Sequence, residues 1–327
     1  MAVVLITGFG GLMWCASTMM CERIHTRADV VDHSRPRTCQ SIMSILLGIN
    51  VYDASGDAAR RQTQCVNSLL ALRGVELVNL QFHDEKHERH GLPTCPVLRQ
   101  DSRTVTGFQG VRKPIISEML DALAERATAH SCRWFGFTNS DIMVSQEAID
   151  FVTGSNRQSY VFSRMDIDGA GGRDLRLIIW GADLFVFETK WWALNRWRFR
   201  PYVAGESCWD NVYAALALCH SDGWLLNRKP LIRHEAHETA WGGGPFAAHN
   251  GFMAALDRPY FSLWCRYVAA LEALRTSAVD ERQELDLRAK TFLWQPSAWG
   301  RLLQTARATK ARLCYALSRR IQPELRA

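Results

Sequence analysis

No two of the ten cysteines form a CxxC pair, and their scattered spacing lacks the density of a disulfide-stapled secreted domain. They are expected to be reduced thiols of a cytoplasmic protein, which argues against a structural zinc site. No internal repeat or low-complexity linker interrupts the chain. The uncharged run at 2–20 has no basic residue ahead of it as a signal peptide would; Arg23 and Arg27 follow it instead. Its TGFGG does not complete GxGxxG, because position 13 is Met. Residues 1–42 are therefore read as an N-terminal extension, and no later stretch is long and apolar enough to span a bilayer. Acidic residues are nearly missing from the C-terminal end: from Trp299 onward Glu324 alone faces seven Lys or Arg.

What is present is the composition of a globular protein, 47% hydrophobic and 22% charged over 327 residues. The net charge of +6 suits a polyanionic partner such as a nucleotide diphosphate or an acidic membrane surface. Nucleic acid is not expected, since no motif interleaves basic and aromatic residues.

From Met43 the pattern becomes regular. MSILLGINVY reads as a strand, and the following DASGDAARRQTQCVNSLLALRG as a helix burying Val66, Leu69, Leu70 and Leu72 and stopped by Gly74. VELVNLQF is the next strand, so the unit implies an α/β fold with a mainly parallel sheet and a ligand at the carboxyl ends of its strands. The segment HDEKHERHGLPTCPVLRQDSRTVTGFQG reads as a long loop. A helix follows over RKPIISEMLDALAERATAH, then strands at CRWFGFTNSDI, SYVFSRMDI and RLIIWGADLFVF, and helices around WWALNRW and WDNVYAALALC. Three regions result: 1–42, a catalytic domain at 43–260, and a helical basic region at 261–327.

The strongest chemical signal is the strand that runs out into Asn139-Ser140-Asp141. A carboxylate at the rim of a sheet can hold a divalent cation, or it can cap the next helix. Arg112 and Lys113 precede a helix, where they can meet an anion or stand solvated. Asp210 opens a helical segment just after Glu206, either as a proton acceptor or as a cap. His234 and His237, three apart, share a face if helical and oppose each other if extended. They are metal ligands or ordinary hydrogen-bonding residues. Trp241 and the glycines after it suit a mobile flap or a plain connection.

In their order, these motifs resemble the GT-A-fold glycosyltransferases over roughly residues 43–260. Asn139-Ser140-Asp141 matches that family's DxD-like metal motif, departing from it in having Asn139 where the first Asp would stand. The resemblance implies a GT-A-like domain that transfers a sugar from a nucleotide-sugar donor to a hydroxyl, with inversion, in glycan or surface polysaccharide synthesis. It implies Mn²⁺ or Mg²⁺ held by Asp141 with His234 or His237. Donor contacts fall to Asn50, Arg112, Lys113, Asn139 and Ser140. The acceptor, a glycan, lipid-linked or protein hydroxyl, would meet Asp183, Trp209 and Trp241, with Asp210 as base and Glu206 second. Alternatives are a nucleotidyltransferase or other sugar-nucleotide enzyme, and a non-catalytic binding module. The basic C-terminal helix is expected either to bring the protein to the inner face of an anionic membrane or to dock on the catalytic domain with its charges solvated.

Overall fold

In the computed structural model, the described residues are 45–85, 90–169, 172–227, 230–237, 244–273 and 297–321. The N-terminal extension 1–42 with its TGFGG, and Trp241 with the first two glycines after it, lie outside them. The described residues belong to one compact unit.

The first strand, β1 (Ile45–Ile49), is buried from end to end and lies between two parallel neighbours. Parallel β2 (Val75–Phe82) and β4 (Trp134–Thr138) flank it, and β3 (Thr94–Leu98) extends the sheet beyond β2. Beyond β4 the direction reverses, because β7 (Asp174–Glu188) pairs with it antiparallel and then with β6 (Ser159–Ile167). β9 (Ile232–Glu235) adds to β6 in parallel and carries antiparallel β5 (Ile142–Val144), while β8 (Gly223–Leu226) also pairs with β6. The α/β class is as expected. The sheet is mixed: parallel on the β1 side and interrupted by antiparallel β7.

Helices cover both faces, as alternation along β1 requires. Ile45 and Leu47 pack with Val66 and Leu69 of α1 (Gly56–Leu70) and Ile149 of α4 (Gln146–Gly154). Leu46 faces the opposite core, shared with Leu120 and Leu123 of α3 (Ile116–Ala129), Trp191 and Trp192 of α5 (Thr189–Asn195) and Tyr213 of α6 (Trp209–His220). Trp197, past the end of α5, is 73% exposed. The segment read as a loop contains β3 and the short α2 (Ser102–Thr106), the latter held by an Asp101 capping box. The seven cysteines among the described residues are all free thiols. Helices α7 (Pro245–Leu256), α8 (Tyr260–Ala273) and α9 (Ala298–Ile321) complete the described chain.

Gly136 sits where β4 and β7 approach closely. A Cβ there would lie 2.6 Å from the Phe185 carbonyl oxygen and 3.0 Å from Val186 Cγ2. Backbone cannot swing aside as a side chain can, so Gly136→Ala is expected to lower stability by about 1–3 kcal/mol. A shift of the urea midpoint measures it; an unchanged midpoint would show that this strand pair opens without cost.

Candidate metal centre and active site

β4 ends at Thr138, and the three residues before β5 form a tight turn in which the Ile142 N–H donates to the Asn139 carbonyl at 3.3 Å. Asn139 is tied to β7: its Nδ2 donates to Asp183 Oδ1 at 2.8 Å, and its backbone N–H donates to the Asp183 carbonyl at 3.3 Å. The turn therefore projects Asp141 from the sheet edge. It does not cap the next helix, because Ser145 fills that seat on α4 by accepting from the Ala148 N–H.

Two histidines come to Asp141 from β9. The register pairs His234 with Ile142 on one side and with Asp166 of β6 on the other. Asp141 Oδ2 lies 3.5 Å from His234 Nε2 and 3.6 Å from His237 Nε2, and the two Nε2 atoms are 3.2 Å apart. Three apart on a continuing strand, these side chains would oppose each other. The chain leaves the strand after Glu235, and that departure brings His237 back beside His234.

The ligand atoms of Asp141, His234 and His237 lie within 4.8 Å of one another. Asp141 Oδ1 is buried and has no hydrogen-bond partner among the described residues, which fits an oxygen that ligates a cation. Burial opposes the charge on Asp141, but the imidazoles of His234 and His237 beside it outweigh that and hold the carboxyl well below its ordinary range. Burial likewise opposes protonation of His234, yet Asp141 and Asp166 raise the imidazole to about 9. The same negative field favours any cation placed there.

Asp166 and Arg164 were not singled out from the sequence. His234 Nδ1 donates to Asp166 Oδ1 at 3.0 Å, which fixes the ring and turns Nε2 toward Asp141. Arg164 Nε donates to Asp166 Oδ1 and its Nη1 to Asp183 Oδ2, both at 3.1 Å. The signal was present in SYVFSRMDI: an Arg and an Asp two apart share one face of a strand, and buried charges are paired.

Asp210 stands at the second position of α6, and the N-cap is Cys208, whose φ of 81° is left-handed. Asn211 Nδ2 donates to Asp210 Oδ1 at 3.0 Å. Burial, reinforced by the negative charge of Asp183, pushes the Asp210 carboxyl up to about 7. Arg164 acts on Asp210 as it does on Asp141, Asp166 and Asp183, so the four carboxylates share one electrostatic neighbourhood.

Lys113 Nζ donates to Glu206 Oε1 at 2.8 Å, so these two predicted residues neutralise each other near Gly205. Arg112 is committed elsewhere: its Nη1 donates to both oxygens of Asp84 at 2.7 and 2.9 Å, and its guanidinium lies 3.7 Å from the Phe82 ring centre. Asn50 Nδ2 donates to the Leu80 carbonyl at 2.6 Å, joining β1 to β2. Ser140 sits within the turn that presents Asp141. Trp209, expected at the acceptor, is only 4% exposed and packs in the core against Phe137, Phe185 and Tyr213.

The sequence matches no protein-family model and no curated protein. Among solved structures, it is similar to residues 1–349 of S. aureus TarS in complex with UDP-GlcNAc, with a TM-score of 0.49, 11% identity, and coverage of 85% of this chain and 92% of that one. It is also similar to the mannosyltransferase PcManGT from Pyrobaculum calidifontis in complex with GDP-Man and Mn²⁺, with a TM-score of 0.40, 10% identity, and coverage of 84% and 78%.

Proposed function

We propose that this chain is a metal-dependent, inverting glycosyltransferase that moves a sugar from a nucleotide-sugar donor to an acceptor hydroxyl. The observation that carries the reading is the convergence of Asp141, His234 and His237, with Asp141 Oδ1 unpartnered, beside a separate carboxyl poised near neutrality. A bound divalent cation would supply charge to the departing nucleoside diphosphate. Two imidazoles and one carboxylate favour Mn²⁺ over Mg²⁺, which prefers oxygen ligands.

Asp210 serves as the base. Its carboxylate takes the acceptor's proton as the acceptor oxygen bonds to the anomeric carbon, and the bond from that carbon to the diphosphate breaks with its electron pair leaving on the phosphate oxygen. A carboxyl at about 7 is a far stronger base than an ordinary Asp while still ionised in substantial part at neutral pH. Arg164 and Asn139 hold the Asp183 carboxylate in place. The acceptor hydroxyl belongs to a glycan, lipid-linked or protein molecule.

A panel of UDP- and GDP-sugars, incubated with the protein and Mn²⁺, Mg²⁺ or chelator, tests the reading through nucleoside diphosphate release. Release with at least one donor, fastest with Mn²⁺ and stopped by chelator, is expected. Undiminished release in chelator would remove the metal from the account.

Asp166 acts through His234 as a positioning residue. Asp166→Asn should weaken Mn²⁺ binding about 10–100-fold, because it removes the carboxylate that orients the imidazole and strengthens it as a ligand. Electron paramagnetic resonance of free Mn²⁺ gives the affinity directly; an unchanged affinity would reduce Asp166 to a structural partner of Arg164.

A further inference from the structure

Among the described residues, helix α9 docks through one side. Gly300, Gln304 and Ala308 are its buried residues, and further along Tyr315 stacks on Phe252 with ring centres 4.6 Å apart and meets Phe108 edge-on at 5.7 Å. These four recur at helical spacing, so they form one line against the domain. The other side should then be the polar one. It is not: Trp299, Leu302, Leu313, Leu317 and Ile321 are 55–78% exposed. Leu313, Leu317 and Ile321 follow one another at i, i+4 and i+8 along a single solvent-facing stripe.

The charges on the helix are of one sign. Between Ala298 and Ile321 there are six Lys or Arg and no acid. All six are exposed, and Lys310 and Arg320 fall beside the apolar stripe, while Arg301, Arg312 and Arg319 line another edge whole turns apart. An exposed apolar stripe bordered by cations is the pattern of a helix that lies in a lipid interface. A second copy of the same face would set six cations against six, so charge complementarity selects an anionic bilayer as the occupant. No helix among the described residues is long and apolar enough to cross a membrane, which leaves the in-plane arrangement.

We propose that the outward face of α9 binds an anionic lipid surface while its inward face stays docked on the domain. Docking and membrane binding, rivals when only the sequence is considered, thus use different sides of one helix. The inference does not depend on the transferase reading, and its test uses no nucleotide sugar.

The full-length protein is sedimented with vesicles of phosphatidylcholine alone and of phosphatidylcholine with phosphatidylglycerol, at low and high salt. Two double variants accompany it, Leu313→Ser with Leu317→Ser and Lys310→Glu with Arg320→Glu, each with a thermal midpoint. These side chains face solvent, so the midpoints should stay near wild type; if one variant unfolds, the other still decides. Salt-sensitive sedimentation with the anionic vesicles only, weakened about tenfold or more in a folded variant, is expected. Equal sedimentation of wild type with both vesicle types, or folded variants that bind like wild type, would overturn the proposal. So would self-association of the wild type without vesicle binding, which would give the face to a second copy.

Discussion

Asp141→Ala is expected to lower kcat/KM by ~10³-fold, the several kcal/mol of charge stabilisation that a cation supplies to a leaving diphosphate. The side chain lies on a turn at the rim of the sheet and not in the core, and Asn139 fixes that turn to Asp183 independently of it. Folding should therefore survive, and the loss should appear as an inability of Mn²⁺ to strengthen donor binding. His234 would keep Asp166 but lose its second carboxylate partner, so its pKa should fall below that of the wild type. If Mn²⁺ still enhanced donor binding in this variant, the cation would have to sit elsewhere.

Asp210→Asn separates binding from chemistry. The amide keeps the shape of the carboxyl and cannot accept the acceptor's proton, so kcat should fall about 10²–10⁴-fold with donor affinity unchanged. In the wild type, kcat/KM should rise as pH increases through the neutral range, because the base works only when ionised and its carboxyl stands at about 7. The stability effect has the opposite sense. Folding raises this carboxyl above its ordinary value, so the folded state holds a proton that the unfolded chain releases, and stability falls as pH climbs from the acid range through about 7. Asparagine mimics the protonated form and carries no such penalty. The variant should melt higher than wild type at pH values above 7 and show little difference in acid. Turnover near the wild-type rate would move the role to another group, while equal melting shifts at all pH values would contradict the assigned environment.

Most of the sheet was legible because its strands announce themselves locally. VELVNLQF and SYVFSRMDI correspond to β2 and β6 residue for residue, since each is a β-favouring run bounded by polar or turn residues. β3 was hidden by Pro96 in its middle, a residue that argues against a central strand and is tolerated at the sheet edge where β3 lies. α1 stops at Leu70, short of the glycine expected to end it; Gly74 takes its left-handed φ of 73° just ahead of β2, and Leu70 is 48% exposed.

The candidate site divides along the same line. Asn139-Ser140-Asp141 could be read because an apolar strand running into polar residues marks a sheet rim. The histidine pair could be named but not oriented, because the bend after Glu235 breaks the periodicity that links spacing to face. Asp166 depends on a pairing between β6 and β9 nearly seventy residues apart in sequence, which local pattern does not encode. Trp209 was named from the resemblance alone, and its position on α6, which sets the ring in the core, is not written in the local pattern.

Anomalous scattering from crystals grown with Mn²⁺ and a nucleoside diphosphate would locate the cation without relying on activity. The account predicts a manganese peak within coordination distance of Asp141, His234 Nε2 and His237 Nε2, with phosphate oxygens on its open side. A nucleotide bound without manganese at those three residues, or manganese bound at another group of side chains, would contradict it.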